Sequence, residues 1–139
     1  MAATPVLALN LACSAALVGL VWTVGVAVYP LYAHIGPESF AAYHHAWTAA
    51  ITLVVAPLML AELVAAGLLC REAPRLGVAL LVPVVLAWAV TAFWAVPMHG
   101  RLDVGFVQAD WRSLCLANHV RAVAWTLRAG VLLGVAVRR

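Results

Sequence analysis

The sequence predicts an all-α fold, a bundle of four transmembrane helices, and three observations lead to that prediction. Of the 139 residues, 67% are hydrophobic and only 9% are charged, whereas a soluble domain is about 45–50% apolar and about 25% charged. The mean hydropathy is +1.07. The apolar residues fall into four long runs, and each run has the roughly 20 residues that a helix needs to cross a bilayer. We therefore expect a single integral membrane domain in contact with lipid.

The four helices are predicted at about residues 6–29, 39–70, 76–96 and 110–137. Pro5 suits the first turn of the first helix, and Pro30 is expected to end it. Tyr29 and Tyr32 then fit the belt of aromatic side chains found at a membrane interface. This apolar run is too long for the core of a cleaved signal peptide, so we expect the first helix to be retained.

The second and third helices each contain an internal proline. A Gly-Pro pair starts the second helix, which is longer than a bilayer requires and is expected to kink at Pro57. A short charged stretch, residues 71–75, leads to the third helix. In that helix Pro83 predicts a second kink, and Pro97 is expected to mark the exit from the membrane.

The arginines predict the orientation of the chain in the membrane. All eight basic residues are arginine, and the second loop and the C-terminus hold four of them, Arg71, Arg75, Arg138 and Arg139. By the positive-inside rule both termini are cytoplasmic and the protein lies in the cytoplasmic (inner) membrane. The formal net charge of +3 is small and divided between loops, so nucleic-acid binding is not expected.

The fourth helix carries a polar stripe at bilayer depth. Asn118, Arg121, Trp125 and Arg128 follow one another at helical intervals and share one face. A charge at the centre of a bilayer costs at least ~2.5–3.5 kcal/mol on insertion scales, so this face should turn towards the other helices. Glu62 in the second helix reaches a depth similar to that of Arg128. We therefore predict that these two residues form a structural ion pair.

The predicted topology places every histidine in one half of the membrane. These residues are His34, His44, His45, His99 and His119. Three explanations stay open. With Asp103 or Asp110, neutral imidazoles can bind a transition metal, or two imidazoles can clamp a haem. A histidine can instead act as a general base towards an acidic substrate, or the imidazoles only form hydrogen bonds to lipid headgroups.

Two motifs resemble those of a known family. A first helix that ends in VYPLYAHIG and a last helix with W-x6-N-x2-R, here Trp111, Asn118 and Arg121, are similar to the anthrone-oxygenase-like four-helix membrane proteins of bacteria. The YHHAW and VPMHG elements are shared with a narrower group of bacterial membrane proteins. The resemblance implies a four-helix bundle. It also implies cofactor-free oxygenation of polycyclic aromatic anthrones, in which a base forms an enolate or phenolate that reacts with dioxygen.

The leading functional hypothesis is a small membrane oxygenase or oxidoreductase-like protein that acts on a lipophilic aromatic or quinone-like molecule. His99 or His45 would be the base, and Arg121 with Asn118 would stabilise the developing oxyanion. Trp88, Thr91, Ala95 and His99 share one face of the third helix and would form an aromatic slot. Contacts to the substrate are expected from Asn118, Trp111, Trp88, His119 and His44.

A non-catalytic bundle is the alternative hypothesis. In that case the chain would be an accessory subunit of a larger membrane complex, a homo-oligomer, or a bundle that binds haem or a metal. The enzyme hypothesis requires no cofactor, so the two hypotheses differ in whether an aromatic molecule or a coloured group is bound.

Overall fold

Residues 4–138, which the computed structural model describes, form four long helical segments. The α-helices are α1 (Pro5–Thr23), α2 (Pro37–Glu72), α3 (Pro74–Val90), α4 (Val96–Leu102) and α5 (Gln108–Val137). A π-helical turn (Val24–Val28) and a 3₁₀ segment (Tyr29–His34) extend α1, and a second π-helical turn (Thr91–Ala95) joins α3 to α4. The segments Pro5–His34, Pro37–Glu72, Pro74–Leu102 and Gln108–Val137 are long and apolar enough to cross a membrane. The predicted fold class, an all-α bundle of four transmembrane helices, is confirmed.

Two of the helical segments extend beyond their predicted ends. The first was expected to stop near residue 29 and the third near residue 96, because a proline follows each point. Instead, Pro30 lies in the first turn of the 3₁₀ segment and Pro97 in the first turn of α4. Both prolines come two residues after a π-helical turn, which interrupts the α-helical hydrogen-bond ladder that a proline would otherwise disrupt. Each proline therefore begins a new helical segment.

Tyr29 and Tyr32 do not belong to an interfacial belt, and that prediction was wrong. Their exposed fractions are 1% and 0%, and their ring centroids lie 5.4 Å apart in the interior. The Tyr32 ring also packs edge-on against Phe40, with centroids 5.5 Å apart. The extension of α1 carries both rings into the bundle and closes one end of it.

The four segments form a ring of neighbours around one core. The segment of α1 packs against α2 and α5, and α3 packs against the same two helices. Short connections between sequential helices make an up-down bundle of this kind. Gly25 lets the first segment approach α5 closely, because a Cβ atom at that position would lie 2.7 Å from Nδ2 of Asn118.

Two buried polar layers lie at different depths of the bundle. We call the end that holds residues 35–36 and 103–107 the distal end, and the end that holds residues 4 and 138 the terminal end. An apolar cluster that includes Leu17, Met59 and Trp125 lies between the polar layers. The two layers can therefore be considered separately.

Candidate active site

A chain of hydrogen bonds runs from the distal surface into the bundle. Oδ1 of Asp103 lies 2.7 Å from Nδ1 of His44, and Nε2 of His44 lies 3.0 Å from Nδ1 of His99. Nε2 of His99 lies 3.3 Å from the hydroxyl of Tyr29. The side chain of Asp103 is 40% exposed, whereas that of His44 is completely buried. The chain therefore connects the surface to the interior.

Aromatic packing fixes the two imidazoles. Phe40, one turn before His44 on α2, stacks on its ring with centroids 5.6 Å apart. The rings of His44 and His99 are themselves stacked, with centroids 5.2 Å apart. Trp47 stacks on the imidazole of His99, with centroids 6.1 Å apart. Asp103 is the residue that caps the C-terminus of α4, which brings its carboxylate next to α2.

One arrangement of protons satisfies every hydrogen bond between Asp103 and Tyr29. An ionised carboxylate only accepts hydrogen bonds, so Nδ1 of His44 donates its proton to Asp103. The Nε2 atom of His44 then accepts a proton from Nδ1 of His99. This assignment, which follows from the hydrogen-bond network, leaves the lone pair of Nε2 in His99 directed towards Tyr29. His99 can therefore accept a proton at that nitrogen.

A cavity of about 110 Å³ adjoins His99, at the inner end of the hydrogen-bond chain. Its polar lining consists of Tyr29, Thr52, Thr91, His99, Asn118 and Arg121. The remaining lining residues are apolar and include Val24, Ile51, Val55, Ala95 and Val96. An apolar cavity of about 150 Å³ binds benzene, so this smaller space limits a guest to no more than about one ring. The apolar wall and the few convergent polar groups are typical of a ligand site.

Arg121 contributes a buried cation to this cavity without a carboxylate partner. Its exposed fraction is 8%. Nη1 donates to the hydroxyl of Thr91 at 3.3 Å, and Nη2 donates to Oδ1 of Asn118 at 3.0 Å. The Nε–H group has no hydrogen-bond partner within residues 4–138, and Arg121 takes part in none of the ion pairs formed by that part of the chain.

The oxygen atoms that hold Arg121 are fixed by the backbone. The Thr91 hydroxyl donates to the carbonyl of Ala87 at 2.7 Å, and Nδ2 of Asn118 donates to the carbonyl of Val21 at 2.9 Å. The guanidinium group is therefore held in place by neutral groups alone. Its positive charge stays uncompensated at this site.

Arg128, two turns further along α5, has the opposite environment. Its Nη1 lies 3.2 Å from Oε1 of Glu62, and both side chains are completely buried. The predicted contact between these residues is present. Oε2 of Glu62 accepts a hydrogen bond from Nε1 of Trp125 at 2.7 Å, and Nη2 of Arg128 donates to Oδ1 of Asn10 at 2.6 Å.

Ser14 completes this second polar layer. Its hydroxyl donates to Oε1 of Glu62 at 3.0 Å and accepts from Nη1 of Arg128. Nε of Arg128 donates to the carbonyl of Leu80 at 3.2 Å. Each nitrogen of this guanidinium group thus has a protein partner, and the layer is a closed structural network.

The predicted site residues divide into two groups. His99, Arg121 and Asn118 line the cavity, and His44 lies directly behind His99. The structure does not bring His45, His119, Trp111 or Trp88 into the cavity lining. The predicted slot is therefore incomplete, because Thr91, Ala95 and His99 line the cavity and Trp88 does not.

Local geometry explains the four residues that lie elsewhere. His45 follows the buried His44 directly and is turned about 100° around α2, so its side chain is exposed. His119 is also exposed, and its Nδ1 bonds to the carbonyl of Cys115 at 2.7 Å. Trp111 donates to the carbonyl of Tyr29 at 2.9 Å. Trp88 packs against the apolar cluster between the polar layers.

No group of three or more His, Cys, Asp or Glu side chains could hold a metal ion within residues 4–138. The facing nitrogens of His44 and His99 are 3.0 Å apart. Two imidazoles on opposite sides of a haem iron would need a separation of about 4 Å, twice an ordinary metal–nitrogen distance of ~2.0 Å. This pair is therefore not arranged as a haem clamp, and the haem or metal alternative stays an untested prediction.

Comparisons with family models, with curated protein sequences and with solved structures find no match for this chain. The resemblance to the anthrone-oxygenase-like proteins stays a prediction.

Proposed function

We propose that the protein is a membrane-embedded enzyme that deprotonates a lipophilic phenol, enol or quinol-like molecule as the first step of its oxidation. The observation that carries this proposal is the uncompensated Arg121 cation, which lines the same cavity as the imidazole of His99. An isolated buried charge is strongly unfavourable, so such a site favours a guest that becomes an anion. A guest of this kind is neutral in the lipid and acquires its charge only inside the cavity.

His99 and Arg121 have separate roles in this proposal, one as the base and the other as the stabilising cation. The guest takes the place of the Tyr29 hydroxyl at Nε2 of His99 and gives its proton to that nitrogen. Arg121, which Oδ1 of Asn118 holds in position, stabilises the oxygen that becomes anionic. The positive charge that develops on His99 is stabilised through His44 by the carboxylate of Asp103. A proton can then pass along the same hydrogen bonds, from His99 to His44 and on to the exposed carboxylate.

The anion so formed is the species that reacts with dioxygen, in line with the predicted oxygenase activity. With an enolisable CH₂ group, dioxygen adds to the carbanionic carbon, and the peroxide anion takes back a proton. Loss of water then leaves a carbonyl group, so that CH₂ and O₂ become C=O and H₂O. His99 serves as base in the first step and as acid in the second.

A nitrophenol probe tests this proposal, because the phenolate absorbs visible light and the neutral phenol does not. We expect wild-type protein in lipid nanodiscs to bind 4-nitrophenol as the phenolate at a pH at which the free probe is neutral. Arg121→Met should weaken this binding about 10–100-fold, since a hydrogen bond to a charged group contributes ~1.5–3 kcal/mol. Arg121→Lys should also bind more weakly, because a point charge replaces the planar guanidinium group. Absorbance titration against empty nanodiscs measures both effects.

The other variants separate the base from the cation. His99→Ala should lose the visible absorption at low pH and regain it at a pH at which the probe ionises by itself. Arg101→Met removes an arginine whose side chain is 65% exposed, and it should bind the probe as wild type does. If wild-type protein bound no phenolate, the proposal would be wrong and the non-catalytic alternative would be favoured.

A further inference from the structure

An open pocket of about 280 Å³, called the opening below, adjoins the 110 Å³ cavity that Arg121 lines, called the Arg121 cavity. It is lined by Thr48, Ile51 and Thr52 of α2 and by Val96, His99, Gly100 and Asp103 at the α4 side. Ile51, Thr52, Val96 and His99 line both spaces. The opening therefore lies next to the cavity, between α2 and α4, and the two spaces share these four residues.

This opening lies on the outer surface of the bundle, among apolar side chains. Thr52 and Gly100 are exposed, and the exposed fraction of Val96 is 58%. A Cβ atom added at Gly100 would meet no atom within 4 Å. Nearby exposed side chains such as Leu53 and Phe93 are apolar, as expected for a surface in contact with acyl chains.

The threonines of the opening do not make it polar. The hydroxyl of Thr48 donates to the carbonyl of His44 at 2.9 Å, and that of Thr52 donates to the carbonyl of Thr48 at 2.7 Å. Because both hydroxyl protons are used within α2, the walls offer mainly apolar surface to a passing group. Among residues 4–138, Asp103 is the one carboxylate that lines the opening, and it lies at the distal end.

We propose that the substrate is a single-ring acid with a hydrocarbon tail, which enters sideways from the bilayer between α2 and α4. This inference rests on the proposed function of the Arg121 cavity. The cavity accommodates no more than about one ring, so the rest of a larger guest must stay outside. With the ring between His99 and Arg121, a tail can pass out through the opening and remain in lipid.

Two probes and two blocking variants test this entry route. The probes are 4-nitrophenol, which has no tail, and 4-dodecyl-2-nitrophenol, which has one. Gly100→Phe places a ring over the opening from α4, and Thr48→Phe does the same from α2, because both residues line the opening and neither lines the Arg121 cavity. We expect each variant to weaken binding of the tailed phenolate about tenfold or more, and to change binding of the tailless phenolate by less than about twofold.

The matched control is Gly19→Phe, because Gly19 is exposed in α1 and a Cβ atom added there would also meet no atom within 4 Å. It should bind both probes as wild type does, and thermal unfolding of all three variants shows that they are folded. Unchanged binding of the tailed probe in both blocked variants would overturn the entry route, as would equal losses for both probes. Failure of wild-type protein to bind either phenolate would instead refute the proposed function.

Discussion

Two buried arginines on α5 differ in their partners. Arg128 pairs with a carboxylate and, in the part of the chain that the structure describes, Arg121 does not, which indicates a structural role for the first and a functional role for the second. Arg128 has Glu62, Ser14 and Asn10 as partners, so its charge and its donors are satisfied. Arg121 has only neutral acceptors, and one of its N–H groups has none within residues 4–138. A satisfied buried ion pair supports the fold, whereas an unsatisfied cation reduces stability and is available to a ligand.

The two arginines should therefore respond in opposite ways to the same substitution. Arg128→Met should lower the free energy of unfolding by ~3–5 kcal/mol, because it leaves the buried carboxylate of Glu62 without its cation. Arg121→Met should leave stability unchanged or raise it, because it removes a buried charge that has no counter-ion. Reversible unfolding of the protein in mixed micelles measures both values.

A double variant provides the internal check for the ion pair. Glu62→Gln alone should also destabilise the bundle, and Glu62→Gln with Arg128→Met should cost less than the sum of the two single changes. Losses that simply add would show that the pair contributes no coupling. A loss on Arg121→Met as large as that on Arg128→Met would contradict the distinction between the two sites.

At the scale of elements, a π-helical turn sets the position of His99. The N–H of Val96 donates to the carbonyl of Thr91, five residues earlier, so the turn holds one residue more than an α-helical turn does. An extra residue of this kind offsets the following helix by one position, about 100°. The same turn joins Thr91, which holds Arg121, to the helix that carries His99. Such turns are frequent at functional sites.

Deletion of Phe93 tests the role of this turn. Phe93 lies within the π-helical turn with an exposed fraction of 84%, so its loss removes little packing. Removing one residue should restore a regular α-helix and rotate His99 away from His44. We expect the deleted protein to stay folded and to lose binding of 4-nitrophenolate at low pH, measured by absorbance.

Phe93→Ala is the control for that deletion, because it removes the same side chain and keeps the register. It should bind the probe as wild type does. A deletion variant that binds the phenolate normally would show that the π-helical turn does not position the base.

Hydrophobic periodicity was sufficient to predict the helices but not the exact register of the site. Four apolar runs predicted four helices, and the depth of Glu62 and Arg128 in antiparallel helices predicted their contact. The slot is predicted from a shared helical face, which does not indicate the depth at which a cavity ends. Trp88 lies about one turn beyond Thr91 and packs against the apolar cluster instead. Periodicity carries no signal for an inserted residue, and a proline near the end of an apolar run gives the same pattern whether a helix ends or restarts.

Tyr29 could not be recognised from the sequence for a related reason. A tyrosine directly before a proline near the end of an apolar run has the pattern of an interfacial residue. Its role depends on the 3₁₀ segment that carries it inwards, and on the hydrogen bond from Trp111 to its carbonyl. Both are tertiary features, because Trp111 is 82 residues away in the chain.

At the scale of the whole molecule, the two polar layers make the bundle asymmetric along its axis. The closed network of Glu62 and Arg128 lies towards the terminal end, whereas the relay from His99 reaches the surface at Asp103. The relay therefore exchanges protons with the medium at the distal end. We propose, from the distribution of arginines, that the distal end faces away from the cytoplasm, so that Asp103 lies on the outer side of the membrane.

Cysteine labelling tests this orientation. Val104, next to Asp103, has an exposed fraction of 87% and is a better position than Gly105, whose φ of +152° is unfavourable for other residues. In a background in which Cys13, Cys70 and Cys115 are replaced by serine, we expect Val104→Cys to react with a membrane-impermeant maleimide in intact cells. Glu72→Cys, at the terminal end, should react only after the membrane is permeabilised. The reverse pattern would place Asp103 in the cytoplasm, and the relay would then exchange protons with that side.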